Sequence, residues 1–524
     1  NALQASFHRY GAAQCGICTP GMLMAATELL RKSSQPSEQQ INDALGGVLC
    51  RCTGYRKIIE AILYVGDTHS ANTNNPAAGE AVGARVAKLD GKQKVNGSEL
   101  YGADSAPKDA LWLRTIRSPY WSATFSFGDF APLKDRYTGL VDILTASDVP
   151  GLNGFGIYPD VKDQPVFADG VVRYRGDAML ALVGDLETIE SIRDDEIPIK
   201  WKEENPLQGF TSPLAIDAPQ IHRDRPGNIL AHGEVIKGSA ELGFRESEII
   251  CQESFETGFV EHAYIEPEAG WAQRVGDRIE ITVSTQSPYM DRDEVALILG
   301  IPPEDVRILP TACGGGFGGK LDQTMQPLVA IAAWKLKQPV RCIFNRPESM
   351  AATTKRHPSN ITARYGCDKE GKLQAFEFNG DFNTGAYTSW GLTVKDRVPI
   401  HASGPYFVPN IEAKSRAFFS NETPAGAFRG FGVPQAAIAH DALMDMMAEK
   451  TAIDPLEIRY LNAIRKGQET ATGQILESAG LDQCLEALRD DWKSWRTEAE
   501  NHNTQSPIVR RGVGIGCMWY GCGN

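Results

Sequence analysis

The 524-residue sequence has no apolar stretch long enough to cross a bilayer, and its start lacks the basic-then-apolar pattern of a secretory leader. Neither a membrane span nor export is read from it, and a cytoplasmic location is expected. Cysteine is sparse, 11 residues in all, which excludes a disulfide scaffold. Positive charge is in deficit: the formal net charge of -13 argues against nonspecific nucleic-acid binding and leaves solubility as its plain role. Internal repeats and long charge runs are also missing. There is no initiator Met, and the chain stops at Gly521-Cys522-Gly523-Asn524 inside what reads as a buried, strand-like run, so neither end is expected to be a natural terminus.

What is present is ordinary globular material. A hydrophobic content of 42% suits large cores, and the length suits about three domains of roughly 150 residues each. Residues 1–66 read as a compact helical bundle. Thr19 is expected to cap a helix with Pro20 at its first position, Ser37 and Gln40 have capping-box spacing before a helix ended by Gly46-Gly47, and a third helix fits 55–65. Residues 67–84, rich in Asn, Thr, Ala, Pro and Gly, read as a linker. Beyond it, 178–183 and 341–344 read as strands and 361–382 as a hairpin turning at 368–371; 326–336 and 435–448 read as helices. The expected fold class is α+β and multidomain: the helical bundle, a first α+β domain at 85–206, and a mixed α/β domain at 207–524.

Four of the cysteines lie in the first 52 residues, as Cys15-Gly16-Ile17-Cys18 and Cys50-Arg51-Cys52. Four thiols on two loops make a closed metal site, because thiolate binds both zinc and iron. Structural zinc usually has C-x2-C at both ends, whereas C-x-C is easier to reconcile with a cluster of two irons. Spacing alone leaves both metals open.

Cys313-Gly314-Gly315-Gly316-Phe317-Gly318-Gly319-Lys320 places five glycines in eight residues. Glycine permits close backbone approach and positive φ, so consecutive N–H groups there can cradle an anion or an oxo group; a flexible loop is the plainer reading. The segment does not fit the phosphate-loop spacing, since Leu321 follows Lys320. A second glycine-rich loop, Pro424-Ala425-Gly426-Ala427-Phe428-Arg429-Gly430-Phe431-Gly432, leads into a helix, with Arg429 available for a charged ligand and two phenylalanines for apolar walls.

The letters go further than the spacing. The run from Gln14 to Met22, with Leu49-Cys50-Arg51-Cys52-Thr53-Gly54-Tyr55, resembles the helical 2Fe-2S domain of the molybdenum hydroxylases, the family of xanthine dehydrogenase and aldehyde oxidoreductase. The two glycine-rich loops resemble that family's first two molybdopterin-binding segments, in the same order. The stretch 86–101 resembles the opening of the molybdenum subunit, and Asp454-Pro455-Leu456-Glu457-Ile458-Arg459 a helical segment after the second loop.

The resemblance implies a 2Fe-2S cluster on Cys15, Cys18, Cys50 and Cys52, with Cys52 on the electron path. It implies a molybdenum–molybdopterin, with or without a cytosine dinucleotide tail, held by Gln14, by Gly316, Phe317 and Gly318, and by Ala427, Phe428 and Arg429. FAD is expected only on another chain, a separate flavin subunit. A homo- or hetero-oligomer is expected, and neither nucleic acid nor membrane as partner. The implied activity is oxidation of an aromatic N-heterocycle or an aldehyde, with water as the oxygen source and electrons leaving through 2Fe-2S clusters. The rivals are an aldehyde oxidoreductase proper and a noncatalytic zinc module. Family members carry a second cluster in a preceding ferredoxin-like domain and a general-base Glu in their C-terminal part; both are expected outside these 524 residues.

In the pocket, Phe431 is expected as a wall for a flat substrate, and Arg397 stands where purine oxidisers counter developing charge; a structural ion pair is the plainer role for that Arg. Two positions depart from the purine-oxidising pattern. Val260 stands where those enzymes place a Gln, and Leu321 where they place a Glu. Each leaves a polar edge of a purine unpaired, at a cost of about 1 to 3 kcal/mol, so a less polar heterocycle or an aldehyde fits better. Glu261, His262 and Glu266 suggest an acid and histidine group, but on a strand Glu261 and His262 face opposite ways, and a structural network is expected. The seven other cysteines are expected to be structural, with Cys517 and Cys522 near the pocket by family position.

Overall fold

The computed structural model describes residues 1–66, 76–84 and 86–521. Half of the expected linker, 67–75, and Cys522 lie outside the described residues; 76–84 contains neither helix nor strand. Among the described residues no helix is long and apolar enough to cross a membrane.

The chain forms two compact units, Asn1–Glu204 with Glu261–Thr353, and Asn205–Val260 with Thr354–Asn524. The first passage between units falls at 204/205, two residues before the expected division at 206/207, and the chain returns to the first unit at 261–353. The cause is strand pairing: Leu111–Arg117 lies parallel to Val340–Ile343 and antiparallel to Ala178–Gly184, so one sheet needs strands from both stretches.

The first unit begins with four short helices, α1 (Ala2–Arg9), α2 (Thr19–Lys32), α3 (Glu38–Leu45) and α4 (Arg56–Leu63). At α3 the Ser37 hydroxyl accepts the Gln40 N–H and the Gln40 side chain accepts the Ser37 N–H, the reciprocal cap expected. The cap expected at Thr19 falls one residue earlier. Cys18 already has helical φ and ψ (-77°, -16°), so Thr19 is the first helical residue and Pro20 the second. Phe7, Met22, Ile41 and Ile58, all fully buried, form the bundle's core. Val95, on the short helix Gly91–Asn96, also joins that core, and the Gln4 amide donates to its carbonyl at 2.8 Å. The chain after the linker therefore returns to the bundle before entering the next domain, which the expected boundary at 85 did not foresee.

A seven-stranded mixed sheet follows, in the spatial order Val306–Pro310, Arg278–Val283, Ala269–Val275, Val340–Ile343, Leu111–Arg117, Ala178–Gly184, Leu140–Leu144. The unbroken apolar run Met179 to Val183 is buried on both faces, as a strand deep in such a sheet requires. Helices Pro288–Leu299 and Gln326–Leu336 share a core with Ala272, Ile281 and Val340 of this sheet.

The second unit is a five-stranded sheet, Ile229–Lys237, Asn410–Phe418, Leu373–Asn383, Ser359–Cys367, Ile249–Thr257. Its hairpin turns where expected, with the Gly371 N–H donating to Asp368 O at 3.1 Å and Gly371 at φ +82°. Helix Val433–Thr451 belongs to the same core as the sheet through Leu443, Met444 and Met447. Asp454 caps helix Pro455–Asn462, whose Arg459 is wholly buried and paired with Asp441 and Asp445. Residues 507–521 have no regular structure and are mostly exposed, although Cys517 is buried; the strand-like run expected at the end does not form among the described residues.

Asp291 ties helix Pro288–Leu299 to the segment before helix Gln326–Leu336, its Oδ1 accepting from Gln323 Nε2 at 2.8 Å and Gln326 Nε2 at 3.3 Å. Burial pushes its carboxyl up from 3.8 to about 6. The native state then holds this proton more tightly than the unfolded chain. The contribution is full below about pH 4 and is lost as pH rises through about 6. Asp291→Asn is expected to remove about 3 kcal/mol of this pH dependence, seen as a flatter stability profile when urea unfolding is followed from about pH 4 to 7.

Candidate iron–sulfur and cofactor site

The loops before α2 and before α4 bring the four cysteines together. All four are free thiols, and they meet in pairs, Cys15 with Cys52, Cys18 with Cys50, and Cys50 with Cys52. Among the described residues no group of three or more His, Cys, Asp or Glu side chains is set to hold a metal ion as it stands. Pairwise approach is the donor arrangement for two irons, each held by two thiolates, so the residues present fit a 2Fe-2S cluster. The Cys15 thiol is brought down to about 7, chiefly by its hydrogen bond with Cys52. Cys50 is driven well below the thiol range by Cys18 and Cys52, and the two donors, Cys18 and Cys52, are pushed up. The turn after Cys52 is fixed by Tyr55, at φ +67°, whose hydroxyl accepts the Cys50 N–H and donates to Val48 O, both at 3.0 Å.

One direct contact and two relayed ones join these loops to the first glycine-rich loop, all within the first unit. Tyr101 Oη donates to Cys15 O at 2.8 Å. Arg51 Nε, between two of the cysteines, donates to His262 O at 3.0 Å, and a Cβ on Gly319 would meet the His262 ring at 2.9 Å. Gly314 packs on Ile17 so closely that a Cβ there would stand 2.7 Å from Ile17 Cγ1. Behind them lies Glu266, whose carboxylate accepts from Gly314 N (2.6 Å), Ser284 Oγ (2.7 Å), Lys320 Nζ (3.0 Å) and Gly102 N (3.1 Å). Glu266 and Lys320 are almost wholly buried.

Sequence reading missed Glu266 as a buttress, and the reason is geometric. Residues 258–264 form no strand, and Ala263 has φ +54°, so the alternation argument applied to Glu261 and His262 does not hold. The structural-network reading of Glu266 nevertheless agrees with its four donors. Gln286 was also missed: its Oε1 accepts from Gly318 N at 3.0 Å and Lys320 N at 3.3 Å, and its side chain fills the space a Cβ on Gly316 would need. Gly319 N donates to Gly316 O at 2.9 Å. The N–H groups from Gly318 to Lys320 thus point to acceptors of the protein itself, and the glycines are required by what lies behind the loop. Phe317, at φ +56°, and Leu321 are half-buried. The Gln14 amide donates to Gly11 O at 2.9 Å, and Lys88 Nζ donates to Gln14 O.

The second unit gathers its own set. Arg356, also missed, is the hub: its N–H donates to Val260 O at 3.1 Å, Nη2 to Arg429 O at 2.8 Å and Nη1 to Gln435 Oε1 at 3.2 Å, and its guanidinium lies 3.9 Å from the centre of the Phe428 ring. Burial lowers it to about 10. An arginine in the irregular stretch between helix Arg346–Ala352 and strand Ser359–Cys367 carries no sequence signal of its own, which is why pattern reading passed over it. Ala427 is wholly buried and Arg429 exposed. The loop runs into the N-terminus of the 19-residue helix Val433–Thr451, with Gly430, Phe431 and Gly432 all at positive φ. A cationic loop on a long helix's N-terminus suits an anionic group such as the pterin's phosphate. Phe431 packs edge-on to Trp390 at 5.5 Å, and the Arg397 guanidinium lies 6.0 Å from the Phe431 ring and 4.6 Å from that of Tyr520, with Nη2 donating to Gly521 O at 2.9 Å. Arg397 thus sits among aromatic rings and a backbone carbonyl.

Removing the Glu266 charge leaves the Lys320 cation buried without its counter-ion. Glu266→Gln is expected to cost about 3 kcal/mol in urea unfolding and to lower the molybdenum retained per chain, measured by elemental analysis.

Two family models match the chain: a [2Fe-2S] binding domain over residues 1–63 and a molybdopterin cofactor-binding domain over residues 221–463. The chain is 35% identical over 413 residues to the nicotinate dehydrogenase large molybdopterin subunit of Eubacterium barkeri, covering 78% of this chain and 96% of that one. It is 28% identical over 544 residues to the aldehyde oxidoreductase of Megalodesulfovibrio gigas, covering 99% of this chain and 59% of that one. The solved structure of the aldehyde oxidoreductase from Desulfovibrio gigas superposes with a TM-score of 0.89 at 28% identity, over 96% of this chain and 57% of that chain. This chain therefore spans somewhat over half the length of the aldehyde oxidoreductases it matches. With paired thiols and two glycine-rich loops matched in order, the chain belongs to the xanthine dehydrogenase and aldehyde oxidoreductase family of molybdenum hydroxylases.

Proposed function

We propose that this chain is the iron–sulfur and pterin-holding part of an enzyme that hydroxylates an aromatic N-heterocycle or an aldehyde, takes its oxygen from water and passes electrons out through 2Fe-2S clusters. The observation that carries the reading is the packing of the cysteine loops on the glycine-rich loop, direct at Ile17 and Gly314 and relayed through Tyr101, Arg51 and the Glu266 buttress. A link of this kind suits two redox groups that must exchange electrons. Bound molybdopterin supplies the oxidation chemistry itself, and the protein supplies orientation and charge.

In this reading the pterin-holding residues are Gln14, Gly316, Phe317 and Gly318, together with Ala427, Phe428 and Arg429. Phe431 offers a face to a flat substrate, and Arg397 stabilises negative charge as it develops there. Glu266 is committed to four donors and serves as no base; we assign none of this chain's acids to that role. Val260 and Leu321 each stand where a purine oxidiser offers a polar side chain, which favours a less polar substrate. The name of the nicotinate dehydrogenase relative supports a heterocyclic substrate, and that of the aldehyde oxidoreductases supports an aldehyde. A flavin-bearing partner subunit and an oligomeric assembly complete the proposal, since the E. barkeri relative is itself named as a subunit.

The assembled enzyme, offered nicotinate, quinoline-type heterocycles, purines and aldehydes in turn, is expected to oxidise a heterocycle or an aldehyde well above any purine. In water enriched in oxygen-18 the product is expected to carry the label. Turnover of aldehydes alone leaves the aldehyde-oxidoreductase reading; a colourless protein holding zinc and no molybdenum overturns both. Val260→Gln with Leu321→Glu restores two polar partners, and kcat/KM for a purine is expected to rise about tenfold for each restored bond, the equivalent of about 1.4 kcal/mol apiece.

A further inference from the structure

Thr53 follows the last cluster cysteine, and its hydroxyl oxygen stands 3.2 Å from Cys50 Sγ. The same oxygen accepts the Tyr55 N–H at 3.0 Å. The proton of that second bond belongs to Tyr55, so the hydroxyl keeps its own proton for the sulfur. A cysteine that ligates iron is a thiolate with no proton to give. The direction of the bond is thereby settled: Thr53 donates and Cys50 accepts. The donor is also held in place. Tyr55 sits at φ +67° with its hydroxyl bonded to Cys50 N and Val48 O, closing the loop as a small ring of hydrogen bonds around the Thr53 side chain.

We propose that the Thr53 hydroxyl raises the reduction potential of the cluster on Cys15, Cys18, Cys50 and Cys52 by donating to the Cys50 sulfur, and so makes this cluster the ready acceptor of electrons from the pterin. Reduction adds one electron to the cluster; no bond breaks and the proton stays on Thr53 Oγ1. Because the reduced cluster carries one more negative charge, the hydrogen bond stabilises it more than the oxidised form. Thr53 acts through Cys50 and is a positioning residue. The inference rests on the cluster assignment made above.

The test is a potentiometric titration of the assembled holoenzyme, with this cluster followed by its electron-spin signal. Thr53→Val keeps the shape and removes the donor; its midpoint is expected to fall by the equivalent of about tenfold in the reduced-to-oxidised ratio, 59 mV for a one-electron couple. Thr53→Ser keeps the donor and is expected to stay at the wild-type value. A Thr53→Val midpoint equal to wild type, or a Thr53→Ser midpoint that falls as far, overturns the proposal. If Thr53→Val does not assemble a cluster, deuterium ENDOR in D2O decides. Beside the deuterons of the backbone amides that bond Cys15 and Cys50, one further coupled deuteron is expected in the wild type and Thr53→Ser and is expected to be lost in Thr53→Ala, and an unchanged deuterium spectrum in Thr53→Ala overturns the proposal. A wild-type protein without iron overturns the cluster assignment itself, a result distinct from either.

Discussion

One buried carboxylate organises the first unit. Glu266 has almost no exposure to solvent, and a charge so placed is tolerable only if its lone pairs are met. Four donors meet them, and they come from three separate stretches of chain: Gly102, the strand-end Ser284, and Gly314 with Lys320. The electrostatic need of a single side chain therefore fixes where the glycine-rich loop lies. Because Gly102 adjoins Tyr101, it also fixes where Cys15 lies. The relative placement of the cysteine loops and the glycine-rich loop is set here by desolvation.

Arg356 is the corresponding hub in the second unit, and it works by different physics. Among the described residues it has no carboxylate partner; two acceptors are carbonyl oxygens, one is the Gln435 side chain, and the Phe428 ring lies against the guanidinium. Its charge is not cancelled locally. A guanidinium that remains positive beside a helix N-terminus makes the second loop electropositive as a whole, where the first loop is made rigid and close to neutral.

Much of this was legible in the sequence because local rules apply to it. The cysteine pairs, the Ser37–Gln40 cap, the hairpin around Asp368 and both glycine-rich loops each depend on residues a few positions apart. What escaped depends on long-range placement. Glu266 is expected to belong to a structural network, but its partners are not legible until the fold brings Gly102 and Gly314 to it, from 164 and 48 positions away. Arg356 meets its partners across 73 and 79 positions. The alternation rule failed at Glu261 and His262 because it presumes a strand, and a positive φ at Ala263 breaks one. Thr19 missed its cap by one residue because Cys18 already has helical φ and ψ.

The insertion of Val95 into the helical bundle bears on how such proteins can be divided. The bundle's own sequence ends before the linker, yet its core is completed from the far side of that linker, with Gln4 bonded to the inserted turn. A gene split within 67–84 would turn this internal plug into an intermolecular one, a ready-made dock by which a free-standing iron–sulfur protein could recognise its molybdenum partner. Covalent continuity and noncovalent assembly would then be two versions of one joint.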